Sequence, residues 1–513
     1  MPLLTTHVYI DFDLDGDFDD AIEDVTPYLI EADWGLGFRK PFQTTSDEAR
    51  CTIVLSNLDK QFSPEYSSSP YYPNMKPHRS LLITNVRSGV ETTMWRGWIE
   101  AIEVAPGTKG ERSIVVVGVG AKSFLQAAEV NLPLLENVKA DEVIAELFKA
   151  AAFPPATFTG WLAGVVGSSE AGVTTVAVDA SQAYDLDAGI NTWSYVGDNW
   201  DNFSNAYMGI ESAAEADLGR FYFDRSGKGR FINRHTLARI ETGDLTISDR
   251  AQGFSYVYGE DIRNDVRVNV YPRSLSATNN EVLWQLDKPM QFRLGEEKTV
   301  RARFTGDAGE TVAGRDVQTP TGGDFAYTGT LAITLFEADA QSATIVIRCN
   351  GVEGSSGKAE LSTLVVRGQK VTSYAVQTVQ EVDTESIYRY GRRVHQIDNK
   401  LIDDDVYAQN VALYHLSIHS EPRGLMAGVM VMVDDDWSAG AIVDQTIFDR
   451  ITVEETHTAH SADYLIVGEQ HRVEMGGKRY TCDWTLEPAT DYLAWLAGVA
   501  GRSEAGVTTY AGL

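Results

Sequence analysis

The stretch HVYIDFDLDGDFDDAIED, residues 7–24, decides between two very different folds. It contains the pattern D-x-D-x-D-G, which opens a calcium-binding EF-hand loop and would place Asp11, Asp13 and Asp15 at ligand positions. An EF-hand loop also needs a bidentate glutamate at its twelfth position, and an amphipathic helix must lead into it. The twelfth position here is Ile22, so the calcium-loop pattern is incomplete.

The residues that lead into this acidic stretch alternate between apolar and polar side chains, which is the period of a β-strand. Val8, Ile10, Phe12 and Leu14 fall on one face, and the Asp-Gly pair that follows favours a turn. We therefore expect a strand and an acidic turn without a seven-coordinate calcium ion. The three aspartates remain weak candidates for a loosely held cation.

The length and charge of the chain limit the classes of function. A length of 513 residues predicts roughly three or four domains. The 43 basic and 73 acidic residues give a net charge of −30, which disfavours nucleic acid as a bound partner. DNA in transit through an acidic channel remains compatible with this charge, because such a wall would repel DNA rather than hold it.

The three cysteines, Cys51, Cys349 and Cys482, are far apart and form no C-x-x-C pair, which disfavours a disulfide framework and a zinc site. The first residues lack the basic and apolar regions of a secretory signal. No run approaches the ~18 apolar residues of a spanning helix. We expect a protein made in a cytoplasm, without a membrane anchor and without a cofactor.

Most of the chain has the composition of β-strands separated by turns. Two helices are predicted, at 139–152 and 404–418, and a hairpin is predicted at 214–234. Segments rich in β-branched and aromatic residues predict strands, for example ARCTIVLSNL (49–58), RSLLITNV (79–86), MWRGWIEAIEV (94–104), RSIVVVGVG (112–120), MAGVMVMV (426–433), DRITVEET (449–456), YLIVGEQHRVEM (464–475) and RYTCDWTLEP (479–488). The fold class is therefore mainly β with a few helices, in a multi-domain α+β chain.

One internal repeat stands out. The segments WLAGVVGSSEAGVTT (161–175) and WLAGVAGRSEAGVTT (495–509) differ at only two positions. The repeat is either a shared packing element that completes two related domains or a docking element for equivalent sites on neighbouring subunits. We expect both copies to share one backbone conformation and to bury their tryptophans. The candidate assembly residues are Trp161, Ser169, Glu170 and Thr174 in the first copy and Trp495, Ser503, Glu504 and Thr508 in the second.

No catalytic constellation emerges from the sequence. The glycines at 118–120 lack the third glycine or alanine of a dinucleotide fingerprint. Ser169 and Ser503 lie in G-x-S-x-x-G, one residue longer than a nucleophile elbow. His415 and His419 have the i, i+4 spacing of metal ligands, but a structural role near a helix end is the stronger interpretation. We therefore predict a protein that is not an enzyme.

Several segments, in order, resemble the tail-hub or minor tail proteins of tailed bacteriophages. The acidic opening at 9–37 leads to a D-(V/I)-T segment, and TIVLSNLDKQFSPEY (52–66) resembles the L-x-N-x-D-x-x-F-S-P phrase of that family. Its matching residues are Leu55, Asn57, Asp59, Phe62, Ser63 and Pro64. WRGWIEAIEV (95–104), EDIRNDVRVNVYPR (260–273), ESIYRYGRRVHQID (385–398) and both repeats add to the resemblance.

The resemblance implies a structural hub at the tail tip of a virion, made in the host cytoplasm. Such a hub is a homotrimer around the DNA channel, between the hexameric tail tube or distal tail protein and the central spike or fibres, with the tape-measure protein nearby. The expected domains are an N-terminal tube-like β-barrel domain at 1–130, an α+β hub domain at 131–284 and a second tube-like domain at 373–513. An inserted β-sandwich is expected at 285–372, where the resemblance is weaker, because glycine-rich loops separate short strands there. No wall-degrading module is expected, because the chain stops directly after the second repeat.

Two tube-like domains in each chain would let a trimer match a six-fold tube. The hairpins GWIEAIEVAPGTKGERSIVVVG (97–118) and GEQHRVEMGGKRYTCDWTLE (468–487) support this, because each has a strand, a Gly-Lys turn and a strand. The acidic charge is expected to lie partly on the channel wall.

The alternative is a tail adhesin that binds carbohydrate through surface aromatic residues and the inserted sandwich. The aromatic candidates are Tyr66, Tyr71, Tyr72, Trp193 and Trp200.

Overall fold

The computed structural model describes most of the chain. The described residues are 3–14, 18–105, 112–151, 166–170, 173–177, 183–197, 205–240, 243, 245–248, 251–259, 262–306, 309–352, 357–489, 494–495 and 510–511. They form a mainly β chain with several sheets, as the sequence predicts.

The first third of the chain contains the strands that the alternating patterns predict. In the opening strand, Thr6, Val8 and Ile10 are buried and the residues between them are half-buried. The elements are β1 (Thr5–Ile10), β2 (Leu29–Gly37), β3 (Arg50–Ser56), β4 (Ser80–Arg87), β5 (Val90–Val104), β6 (Ser113–Val119), α1 (Lys122–Ala127), β7 (Leu135–Val138) and α2 (Ala140–Ala150).

The middle of the chain mixes short strands and helices. The predicted hairpin is present, and its turn contains Gly227 at a φ of 79°. The elements are β8 (Val166–Glu170), β9 (Val173–Ala177), β10 (Tyr184–Leu186), β11 (Trp193–Val196), α3 (Ala206–Ala216), β12 (Arg220–Phe223), β13 (Gly229–Ile232), α4 (Arg234–Arg239), β14 (Thr246–Ile247), β15 (Gln252–Tyr258) and β16 (Asp265–Val270).

The segment from Arg273 to Ser373, which contains the insertion predicted at 285–372, consists mainly of β-strands. The strands are β17 (Arg273–Leu275), β18 (Glu281–Gln285), β19 (Met290–Arg293), β20 (Glu297–Arg303), β21 (Gly314–Gln318), β22 (Phe325–Thr328), β23 (Thr330–Ala338), β24 (Ser342–Gly351) and β25 (Lys358–Ser373). One sheet is built on the long strand β25, and the other has the order β20-β24-β23. A separate apolar core, which includes Phe292, Ile345 and Leu364, takes residues from both sheets.

The last part of the chain returns to mixed structure. Asp404 caps the predicted helix by accepting a hydrogen bond from the Tyr407 backbone N–H at 2.7 Å. The elements are β26 (Gln377–Val382), α5 (Thr384–Tyr390), β27 (Val394–Ile397), α6 (Asp405–His419), β28 (Gly424–Met432), α7 (Asp436–Asp444), β29 (Arg450–Glu455), β30 (His460–Glu474), β31 (Arg479–Pro488), β32 (Ala494–Trp495) and β33 (Tyr510–Ala511).

Strands from the beginning and the end of the chain form one large sheet. Its main path runs β1-β4-β5-β6-β3-β2-β30-β31-β28-β15, and β29 joins it through β30. None of the sheets built from the described strands closes on itself, which differs from the expected pair of β-barrels. The difference has a simple cause, because the edge of β2 that could close a first barrel is paired with β30 instead.

The apolar residues form separate cores. The largest packs against the large sheet and draws on both ends of the chain, for example through Trp34, Ile53, Val473 and Trp484. A second core surrounds α2, α3 and α6. All three cysteines are buried and free, so the disulfide framework that the sequence disfavours is also absent from these positions. Within the described ranges, no helix combines the length and the apolar character needed to cross a membrane.

Candidate functional site

The pairing of β2 with β30 joins the two ends of the chain and defines the candidate functional region, which we call the seam. Six residue pairs form it, from Ala32 opposite Val473 to Gly37 opposite Gly468. On the buried face, the Trp34 ring stacks on the His471 ring with centroids 5.0 Å apart. The seam is therefore part of the core rather than a loose contact between two domains.

Two glycines allow the backbones to approach at the end of the seam. A Cβ on Gly37, where φ is 88°, would lie 2.5 Å from the carbonyl oxygen of Val467. A Cβ on Gly468 would collide with the carbonyl oxygen of Phe38. Because backbone atoms cannot move aside as a flexible side chain can, this end of the seam requires glycine on both strands.

A buried ion pair fixes the β30 side of the seam. Arg225, in the turn of the β12–β13 hairpin, donates to both carboxylate oxygens of Glu469 at 2.8 and 2.6 Å. Its Nη1 donates to the carbonyl of Val443, and Nη2 shares its hydrogens between Glu469 and the carbonyls of Ile442 and Gln445. Burial alone would raise the pKa of Glu469, but the charge and hydrogen bonds of Arg225 lower it to about 2.

The ion pair continues into a chain of buried hydrogen bonds. The Nε2 atom of His471 lies 3.3 Å from Glu469, and its Nδ1 atom lies 3.0 Å from the Tyr480 hydroxyl. Asn85 on β4 donates to that hydroxyl at 2.9 Å and accepts from Thr6 on β1 at 2.8 Å. Since Tyr480 can donate to Nδ1, Nε2–H is free to donate to Glu469, which matches a neutral imidazole. Burial accordingly lowers the pKa of His471.

A cavity of about 230 Å³ opens beside the seam, and the carboxyl group of Glu48, whose pKa is raised, lines it. Glu48 accepts a hydrogen bond from the Gly120 backbone N–H at 3.0 Å through Oε1, while Oε2 is buried without a hydrogen-bond partner. Burial raises the pKa of Glu48 to about 7. Glu48, beside the seam, therefore holds its proton to a higher pH than an ordinary glutamate does.

The two ends of the large sheet differ from the seam and from each other. Along β1 the outer edge is already occupied, since Val25 N–H donates to the carbonyl of Val8 and Ile10 N–H donates to that of Glu23, each at 3.0 Å. At the other end, β15 pairs only with β28 among the described strands, and its residues are mostly exposed. Tyr258 on this edge is 69% exposed. An open edge with aromatic side chains is a surface on which another chain can add a strand.

The predicted strand leads into the acidic turn. A cluster of carboxylates lies there, in which Glu23 joins two of the three aspartates that the sequence suggested. The carboxylates of Asp11, Asp13 and Glu23 lie within 4.8 Å of one another, while Asp15 falls outside the described residues. Glu23 is one place late for an EF-hand loop, but residues 23–25 fold back along β1 and bring it to the aspartates. Asp11 also accepts from the Leu14 N–H at 2.6 Å and is electrostatically coupled to Arg96, so a protein cation already faces the cluster.

The histidine pair predicted as a weak metal candidate lies on α6 as expected. The rings of His415 and His419 are stacked with centroids 6.1 Å apart. In the described part of the chain, the only convergence of three ligand groups is the acidic cluster, so this pair lacks a complete metal-ligand set there. The histidines instead line a cavity together with arginines.

The repeat is only partly described. Ser169 and Glu170 lie on β8, which pairs antiparallel with β9 and places Ser169 opposite Thr174. In the second copy, Trp495 lies on β32, whereas Ser503, Glu504 and Thr508 are outside the described residues, as is Trp161. The expectation of one shared conformation and two buried tryptophans falls largely on these positions and stays a prediction.

The surface aromatic residues proposed for an adhesin are not all on the surface. Tyr71 is 5% exposed and Trp193 is 1% exposed, because both belong to apolar cores. Tyr66 and Tyr72 are exposed, and Trp200 lies outside the described residues. The expectation of an aromatic surface is therefore wrong for Tyr71 and Trp193, because alternation and composition do not tell a core aromatic from an exposed one.

Comparisons with known proteins give structural similarities alone. No family model and no curated protein matches the chain. Similar solved structures include a tail protein from Neisseria meningitidis MC58, with 9% identity, a TM-score of 0.47 and coverage of 94% of this chain and 96% of that one. A 43 kDa tail protein of prophage MuSo2 from Shewanella oneidensis has 8% identity and a TM-score of 0.48, over 95% and 99% of the two chains. Each TM-score lies below 0.5, so these similarities do not establish a shared function.

Proposed function

We propose that the protein is a structural hub of a bacteriophage tail tip, in which three copies form a ring around the DNA channel. The observation that carries this proposal is the seam, through which strands from both ends of one chain build a single continuous wall. The sequence resemblance to tail-hub proteins agrees with this role. We assign no catalytic step to the protein.

The seam supports the proposed symmetry. Each chain contributes two wall segments, β1 to β6 from its beginning and β28 to β31 from its end, and each segment contains a long terminal hairpin, β5–β6 or β30–β31. Three chains would then supply six similar segments to face a six-fold tail tube or distal tail protein. Within a chain the neighbouring segments meet at the seam, and between chains they would meet at the sheet ends.

The unequal sheet ends support a head-to-tail contact. Among the described strands β15 pairs only with β28, whereas the β1 end is finished by residues 23–25, so the two ends are not copies of one surface. A contact between unlike surfaces generates a closed ring when the rotation fits. The β15 edge of one copy would therefore meet the β1 end of the next, and the tape-measure protein and the spike or fibres would bind to the assembled ring.

Native mass spectrometry of the full chain over a range of concentrations tests this proposal. We expect a species with three times the monomer mass that grows with concentration. A dimer as the largest species, or a stable assembly with another number of copies, would overturn the proposed ring.

A further inference from the structure

A cavity of about 250 Å³ lies where three distant parts of the chain meet, and the proposed hub function leaves it unexplained. One wall is the loop at Phe42 and Thr44 before β3, and the second is the corner between α3 and β12. The third comes from β27 and α6 together with Arg263, which precedes β16. The ionisable groups that line it, apart from Tyr414, are Glu215, Arg220, Arg263, His395, His415 and His419. Basic groups therefore outnumber acidic groups in a protein that is acidic as a whole.

The histidines form a row in which His415 is central. Its ring centroid is 5.2 Å from that of His395 and 6.1 Å from that of His419. Arg263 lies against this row, with Nη1 3.3 Å from His395 Nε2 and its backbone N–H donating to the His419 carbonyl at 2.9 Å. Because a guanidinium can only donate, His395 accepts at Nε2 and is a neutral imidazole.

His415 faces a positive environment. Its Nδ1 atom is buried and has no hydrogen-bond partner in the described structure. Burial lowers the pKa of His415 well below its ordinary value, and the neighbouring basic side chains of His395, His419, Arg263 and Arg220 lower it further. A negative charge placed in the cavity would reverse this second effect.

The carboxylates near the cavity already have other partners. Glu487 accepts from Arg220 at 3.2 Å and from the backbone N–H of Phe42. Glu215, the one carboxylate among the described lining residues, accepts from Asn399 at 3.0 Å, and burial raises its pKa. Both carboxylates therefore already accept hydrogen bonds within the fold.

We propose that this cavity binds a small oxyanion between Arg263 and His415, and that His415 takes up a proton when the anion binds. Guanidinium and imidazolium groups are the donors that oxyanions prefer. A metal ion fits less well, because two guanidinium groups line the same space. The bound anion would tie together the early loop, the corner after α3 and the late helix α6.

Isothermal titration calorimetry of sulfate into the full chain tests the proposal. Sulfate is the probe because its charge stays constant over the pH range used. We expect one site per chain at about pH 5.5, with an affinity that falls by about tenfold for each pH unit above the titration of His415, since one proton is taken up with the anion. An affinity that does not change with pH, or the absence of binding to the folded wild-type chain, would overturn the proposal.

Three variants test whether sulfate binds at this cavity. Arg263→Gln should weaken sulfate binding at least about tenfold, because it removes the charged donor. His415→Gln should remove the pH dependence, whereas His457→Gln changes an exposed loop histidine and should leave both properties unchanged. Circular dichroism confirms that each variant is folded.

Equal sulfate binding in all three variants would identify an adventitious ion only and would overturn the proposal. The same holds if Zn²⁺ binds to the wild-type chain, is lost in His415→Gln, and sulfate does not bind.

Discussion

The seam and the β15 edge are both strand edges of one sheet, but they are built in opposite ways. At the seam, β2 and β30 pair through buried residues, two obligatory glycines and a buried ion pair. The β15 strand is mostly exposed, has shifts in its register with β28 and ends in the exposed Tyr258. In the proposed ring, the chain would complete one junction by itself and would leave the other for the next copy.

The largest effect is expected from removing the buried ion pair at the seam. Arg225→Met would leave Glu469 charged and buried without its partner, and should lower the free energy of unfolding by about 3–5 kcal/mol. Denaturant unfolding followed by circular dichroism measures this loss. The matched control is Arg472→Ala, which breaks an exposed pair with Asp33 across the same two strands and should cost less than about 1 kcal/mol. Equal losses in the two variants would contradict the assigned role of Arg225.

A smaller loss of stability is expected when a side chain is added between the two paired backbones of the seam. Gly468→Ala places a Cβ against the carbonyl of Phe38 and should destabilise the fold by about 1–3 kcal/mol, as overpacking does. Gly323→Ala is the control, because a Cβ there meets no atom within 4 Å. Thermal unfolding of both variants would show the difference, and a neutral Gly468→Ala would mean that the seam opens at little cost.

A pH-dependent effect is expected at Glu48. Its pKa in the folded chain is raised from 4.5 to about 7, so between these values the folded state holds a proton that the unfolded state has lost. Stability should therefore fall as the pH rises through this window. Glu48→Gln imitates the protonated form and should raise the melting temperature more at about pH 8 than at about pH 5. The same shift at both pH values would show that Glu48 does not titrate in this window.

The smallest effect on stability, and the sharpest contrast with the seam, is expected at the open edge. Tyr258→Lys changes an exposed side chain and should alter the free energy of unfolding by less than about 0.5 kcal/mol. It should nevertheless reduce self-association, because an edge lysine opposes strand addition. Sedimentation velocity compares the variant with the wild type, and unchanged assembly would remove β15 from the proposed contact.

The sequence predicts the elements of the wall much better than its connections. Alternation predicts β1, because a buried face leaves a two-residue period in the sequence. Richness in β-branched and aromatic residues predicts β3 to β6 and β28 to β31. The pairing of β2 with β30 is not visible in that period, since alternation shows which side chains are buried but not which distant strand lies alongside. The glycines at 35, 37 and 468 were the available signal, because glycine inside a strand often marks a close approach of backbones.

The site residues that sequence reasoning missed depend on contacts between distant parts of the chain. Arg225 appeared only as part of a hairpin turn, and its partner Glu469 is 244 residues away. Glu23 falls one place late for an EF-hand loop, yet the chain folds back and brings it to Asp11. His415 and His419 were recognised by their helical spacing, but the arginines that make their cavity positive come from other elements.

Single-particle cryo-electron microscopy of the full chain at high concentration would show whether one chain supplies two neighbouring segments of a ring wall. We expect a closed ring of three chains with six similar wall segments, in which the β2–β30 seam alternates with contacts between β15 and the β1 end of the next chain. A ring in which the β15 edge faces solvent, or in which β2 and β30 are separated, would contradict it.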